Sequence, residues 1–339
     1  MLKVGMYGSI ASPPNGELIE QRLDEISDEA LLAETCGFDG IFFGEHHQDK
    51  KGFLPSPLII AATIAGRTSR LRVGTNLLLL PLHYPVQIAE DTASLDLITH
   101  GRVVLGVGLG YQDRDMAMFG IHKSSRVGRF EESISIIRNC WSGKHFSHSG
   151  EHFNIPGIQA LPRPAQRPGP PIWIGAVEPP AVRRAGRIGD GWITAPGIPI
   201  DFAKECADMY REAAAAAGRQ TCVVIMRDAW VANTREEAER IYAPEVVTAY
   251  GYYFAGGQTR LFKGMATAAD ITFKNIDKDA RLVLGTPNEC VDLLHRWQEE
   301  VGADYVIVRF RQAHSGGPSH VETSRAIELF GSRVLPQLK

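Results

Sequence analysis

The chain has 339 residues, 44% of them hydrophobic and 22% charged, with a formal net charge of −3. This is the balance of a soluble globular protein, long enough for one large α/β barrel or two ordinary domains, and it offers no electrostatic attraction to nucleic acid or an anionic membrane. The amino terminus lacks the basic-then-apolar pattern of a secretory signal, and no apolar run approaches the ~20 residues of a membrane helix. Five scattered cysteines without a CxxC pair suit reduced thiols in the cytoplasm.

Short apolar runs alternate with amphipathic helical stretches along the whole chain, the pattern of a parallel α/β sheet. In chain order, strands are expected at Val4–Tyr7, Gly40–Phe43, Arg72–Leu78, Val103–Val107, Pro171–Gly175, Gly191–Thr194, Cys222–Trp230 and Tyr305–Phe310. Helical patterns fall at Leu18–Cys36, Pro57–Arg67, Pro85–Ile98, Arg126–Trp141, Pro179–Ile188, Phe202–Ala217, Thr234–Ala243, Asn288–Val301 and His320–Leu335. Gly37 suits a helix C-cap and Pro85 a first helical turn, while Thr234 with Glu237 and Thr286 with Glu289 have capping-box spacing.

Eight strand–helix units without a compositional break predict a single (β/α)8 TIM barrel spanning residues 1–339. Two insertions exceed a minimal barrel: about 142–170, after helix 4, and about 250–278, between strands 7 and 8. The later one is the better candidate for a substrate lid, with aromatic residues in Tyr250-Gly-Tyr-Tyr-Phe254; a plain surface loop is equally compatible.

Barrel active sites lie at the C-terminal ends of the strands, which is where Glu45-His46-His47 falls. Histidine titrates near neutral pH, and neighbours on a strand face opposite ways, so one imidazole of the pair can reach a pocket. Glu45 can orient an imidazole or pair with an arginine across the barrel. No HExxH or Cys/His cluster occurs, and no metal is expected. Asn76, at the end of the third strand, offers an amide to a polar ring edge or caps a turn. Gly106, Gly108 and Gly110 would let the backbone approach a planar ligand or a phosphate. Val177 and Glu178 precede a helix start, an anion site in principle, against which stand the charge of Glu178 and the missing donors of Pro179 and Pro180.

Taken together, GFDGIFFGEHH (37–47), SRLRVGTNLLLLPLHYPVQIAEDTASLDLITHGRVVLGVGLG (69–110), DMAMFG (115–120), RVGRFEESISIIRNCW (126–141), PPIWIGAVEPPAVRRAGRIGDGWI (170–193) and GTPNECVDLL (285–294) resemble the luciferase-like flavin-dependent monooxygenases over nearly the whole chain. The resemblance implies a TIM barrel holding reduced FMN at its C-terminal mouth. A separate flavin reductase supplies the FMN, which reacts with O2. It also implies a homodimer packed through Pro57–Arg67 and Pro85–Ile98.

The protein's task would be to exclude water and to place a proton donor/acceptor by the peroxyflavin. His46 matches the family's catalytic histidine, with Glu45 and His47 as its neighbours. Asn76-Leu77 falls where luciferase has a non-proline cis peptide beside the isoalloxazine. Val177 and Glu178 fall on the phosphate-binding helix start, and Asp115 and Arg126 on the loop and helix after strand four. Four departures stand out: Gly108 for a reactive cysteine, Leu109 for a phosphate-binding arginine, Tyr84 for a histidine, and Glu178-Pro-Pro180 for a serine-rich loop. Arg126 is the nearest replacement for the lost phosphate ligands, whereas Arg183 and Arg184 read as a solvated helix face.

The function implied is a flavin-dependent monooxygenase using reduced FMN and O2 on a small, largely apolar organic substrate, with His46 as general acid/base. The alternatives are a deazaflavin-dependent oxidoreductase performing hydride transfer and a non-catalytic flavin-binding barrel.

Overall fold

Apolar runs buried on both faces can only be central parallel strands, and eight of them close on themselves here. In the computed structural model, which describes residues 1–257, 262 and 264–338, the barrel strands are β1 (Lys3–Tyr7), β2 (Gly40–Phe43), β3 (Arg72–Thr75), β4 (Val103–Gly108), β5 (Ile172–Gly175), β6 (Gly191–Ile193), β7 (Val223–Val231) and β8 (Tyr305–Arg309). Each pairs in parallel with the next, and β8 returns to β1 with Tyr305 opposite Lys3. Every predicted strand is present. A further strand, Leu282–Gly285, was not expected; it pairs with the upper half of β7, Asp228–Val231, where β7 extends beyond its short neighbour β6.

The surrounding helices start where the sequence places them. Pro57, Pro85 and Pro179 occupy first turns, and Thr286 with Glu289 forms a full capping box. One helix is longer than expected. The segment Arg235–Ala255 continues through Pro244 instead of stopping at Ala243. The Tyr242, Val246, Ala249 and Tyr250 face is buried, and that burial holds the helix together past the proline. The first six residues of the expected insertion at 250–278 are therefore helical; residues 258–261 and 263 of that stretch lie outside the described residues.

The other insertion, 142–170, forms an antiparallel hairpin of Phe146–Ser149 and Asn154–Ile158. It is tied down by Glu132, whose carboxylate accepts from the backbone N–H groups of Glu151, His152 and Phe153.

Two cores result. The larger lies between strands and helices. The smaller fills the barrel interior, where Phe42, Trp173 and Tyr305 pack ring against ring, with centroids 5.2–5.8 Å apart. That plug closes the barrel axis and leaves the C-terminal mouth open. Among the described residues, no helix is long and apolar enough to cross a membrane.

Candidate active site

The mouth holds a cleft of about 500 Å³, and all six residues singled out from the sequence line it: His46, Asn76, Leu109, Arg126, Val177 and Glu178. Asp115 does not; it is buried in a short helix, Asp113–Met118, beside Arg114.

Two residues past the end of β2, Glu45 lies at the cleft wall, and its carboxylate is the centre of a closed cluster. Its Oε1 accepts from His47 Nε2 at 2.7 Å and from His83 Nε2 at 3.0 Å, and its Oε2 accepts from the Leu79 N–H at 2.7 Å. These donors overcome the cost of burial and hold the Glu45 carboxyl down at about 2, while the same contact raises His47. Glu45 thus orients His47 and His83, and among the described residues it pairs with no arginine. His83, one residue before Tyr84, completes this cluster. Tyr84 is largely exposed, against Phe153 of the hairpin.

His46 points the other way, as alternation requires. Half-buried on the cleft wall, it lies edge-on to Phe53 at 4.6 Å and near Tyr111 at 6.4 Å, and its ring has no hydrogen-bond partner among the described residues. Burial pushes its imidazole down to about 4, against weaker opposing pulls from Asp49 and Glu45. His46 is therefore neutral at physiological pH, with one nitrogen able to donate and the other to accept.

The Asn76–Leu77 peptide is cis. The Asn76 amide is buried and donates to Met226 Sδ at 3.4 Å, so it does not cap a turn. The Leu77 side chain lies across the barrel mouth and explains the glycines. A Cβ on Gly108 would meet Leu77 at 2.8 Å, and one on Gly175 at 2.1 Å; a Cβ on Gly106 would strike the Thr75 carbonyl oxygen at 2.0 Å. Gly106 and Gly108 make room for β3 and Leu77, and Gly110, at φ +72°, makes room for Met116; Gly108 and Gly110 also line the cleft.

At the outer end of the cleft the helix start at Pro179 is a poor anion site. Pro179 and Pro180 have no N–H, and those of Ala181 and Val182 donate to the Glu178 carbonyl oxygen. Leu109 adds an apolar surface only. The cations available there are Arg126, whose Nη1 donates to the Gly110 carbonyl oxygen, and Lys123, paired with Asp113. Arg183 is exposed, in keeping with a solvated helix face, whereas the Arg184 side chain is largely buried against Glu131, contrary to that expectation.

Sequence reasoning missed the inner wall. Arg309, the last residue of β8, reaches the cleft and is gripped by Asp228 through Nε at 2.6 Å and Nη2 at 3.2 Å, both side chains being buried; its Nη1 donates to the Tyr253 hydroxyl at 3.1 Å. The available signal was a charged residue closing an otherwise apolar strand. His314, in the loop beyond, was also missed, and no local pattern marks it.

A closed parallel barrel with a cleft at its C-terminal mouth, carrying a neutral histidine beside a cis peptide, defines a barrel enzyme. The model of the luciferase-like monooxygenase family matches residues 2–305, and the chain belongs to that family, which joins flavin-dependent monooxygenases and F420-dependent oxidoreductases. It is an oxidoreductase. The chain is 28% identical to an F420-dependent glucose-6-phosphate dehydrogenase of Microbacterium testaceum, over 93% of this chain and 94% of that one. It is 27% identical to the oxygenase component of the flavin-dependent trigonelline monooxygenase of Acinetobacter baylyi, over 70% and 66%. Among solved structures it superposes on the monooxygenase RslO1 of Streptomyces bottropensis with a TM-score of 0.84 and 25% identity, covering 100% of both chains.

Proposed function

We propose that this chain is the oxygenating component of a flavin-dependent monooxygenase. It would take reduced FMN from a separate reductase and act with O2 on a small, largely apolar organic substrate in the cytoplasm. The observation that carries the reading is His46: a neutral imidazole on the cleft wall with both ring nitrogens uncommitted, while the carboxylate beside it is held by His47 and His83.

The cleft suits a flavin in shape and polarity. Its inner half is walled by Leu77, Leu79, Ile193 and Met226, and its outer end carries Lys123 and Arg126. Leu77 and the Asn76 peptide would bear on the ring system, and Arg126 with Lys123 would face the phosphate, assisted by the backbone at Val177 and Glu178. When bound, reduced flavin supplies the electrons that activate O2. His46 would relay a proton to a nearby oxygen atom, one ring nitrogen giving up its proton as the other takes one from substrate or solvent, so that no net charge is placed in an apolar cleft. Phe53 and Tyr111 keep water from its edge. The end of helix Arg235–Ala255 brings Tyr253 to the cleft, and Tyr253 with Gly257 would cover the substrate there. The chain pairs with a second copy through the helices Pro57–Ala65 and Pro85–Ile98, whose Ile59 and Ile98 are 69% and 65% exposed.

A second reading, hydride transfer with a deazaflavin coenzyme, is favoured by the loss of donors at Pro179 and Pro180 and by the resemblance to the F420-dependent relative. Fluorescence titration separates the two, with light scattering on the same preparation. The expected result is micromolar binding of FMN, weaker binding of the deazaflavin coenzyme, and a mass of two chains. Tighter binding of the deazaflavin would replace the first reading with the second, and binding of neither would remove both.

A further inference from the structure

One group on the inner side of the site has no task in the reading above. His314 follows β8 by five residues and is only 4% exposed, yet neither of its ring nitrogens has a hydrogen-bond partner among the described residues. A neutral imidazole carries one N–H and one lone pair, and leaving both unsatisfied in a buried position is unfavourable. The ring cannot readily turn to find partners. It stacks on Tyr252 with centroids 3.8 Å apart and planes 19° apart, and meets Tyr253 edge-on at 5.1 Å. The Lys51 ammonium lies over the Tyr252 ring and donates to the His314 carbonyl oxygen at 3.0 Å, pinning the loop.

The nearest imidazole is His46, with centroids 6.4 Å apart and planes at 71°. Ring nitrogens lie at the ring edge, so facing nitrogens are closer than the centroids. Two hydrogen bonds of about 2.9 Å to one shared oxygen atom span such a gap. Near the two imidazoles stand the rings of Phe53, Tyr111 and Tyr253, apolar surface for a flat or alicyclic body.

We propose that His46 and His314 together form a substrate subsite that holds a neutral carbonyl or hydroxyl oxygen between two imidazoles, with the surrounding aromatic rings gripping the carbon skeleton. The inference rests on the reading of His46 as the residue beside the reacting oxygen and narrows its substrate to an oxygen-bearing cyclic molecule. Burial keeps both imidazoles uncharged, His314 being pushed down to about 2, so the pair suits a neutral oxygen better than a carboxylate.

The test uses the flavin-free full chain with phenol and cyclohexanone as probes and toluene as the hydrocarbon control. The two oxygen-bearing probes are expected to bind at least about tenfold more tightly than toluene and to shift the side-chain ¹⁵N resonances of both His46 and His314. His314→Phe should retain toluene binding and abolish the preference, and His314→Asn, which keeps a donor and an acceptor, should restore part of it. Equal binding of all three probes, a preference that survives His314→Phe, or movement of the His46 resonances alone would overturn the proposal. Should the variants not fold, the wild-type affinities and spectra decide it. FMN binding is titrated separately. Probe preference without FMN binding counts against the flavin reading, and FMN binding without probe preference counts against the subsite.

Discussion

Replacing His46 by alanine is expected to lower coupled oxygenation by about 10²–10⁴-fold, the usual contribution of a positioned proton donor/acceptor, while circular dichroism and FMN affinity stay unchanged. The ring is half-buried, packs edge-on to Phe53 and makes no hydrogen bond that the fold depends on. The variant should also carry a pH signature. In the folded chain His46 takes up a proton only near pH 4, against 6.5 for an ordinary histidine. Between those values the unfolded chain binds a proton that the folded chain refuses, so stability is full above pH 6.5 and falls as the pH drops toward 4. The slope from this group is at most about 1.4 kcal/mol per pH unit, less because the ring is partly open to the cleft. His46→Ala should flatten that part of the thermal stability profile. Unchanged oxygenation together with an unchanged profile would strip His46 of its assigned role.

Asp228→Ala is expected to be the most damaging single change to stability, at about 3–5 kcal/mol, because it leaves the Arg309 guanidinium buried without its counter-charge. The same carboxylate also accepts from Gln312 Nε2 at 2.6 Å, and Gln312 in turn donates to the Tyr242 hydroxyl at 3.0 Å. Since Arg309 also holds the Tyr253 hydroxyl, the cleft wall should loosen with it. Urea denaturation reads the loss directly. The double variant Asp228→Leu with Arg309→Met should recover much of it, as buried ion pairs replaced by apolar side chains commonly do. A loss below about 1 kcal/mol for the single variant would show that the pair is not a structural support.

The barrel was legible because its strands are buried on both faces, so most read as short apolar runs, and eight such runs at barrel spacing point to closure. Leu282–Gly285 escaped notice because its four residues pair only with the projecting half of β7. The helix beyond Ala243 escaped because Pro244 argues locally against a continuation that only tertiary burial explains.

His46 was readable from its place at a strand end. Its surroundings were not: His83 lies 38 residues from Glu45, and Asp228 lies 81 from Arg309. Such pairings depend on barrel register, which no local pattern encodes. The glycines of β4 were readable only in part, for a related reason. Their lack of a side chain is plain in the sequence, but what fills the space, Leu77, is set by the chain's path through the Asn76–Leu77 peptide.

If this cleft seats a flavin with His46 beside its reactive face, a crystal structure of the protein soaked with FMN will show it. The ring system is expected against the Asn76–Leu77 peptide, the phosphate beside Arg126 and Lys123, and the His46 ring facing the flavin. An FMN seated outside the barrel mouth, or one that leaves His46 out of reach, would contradict it.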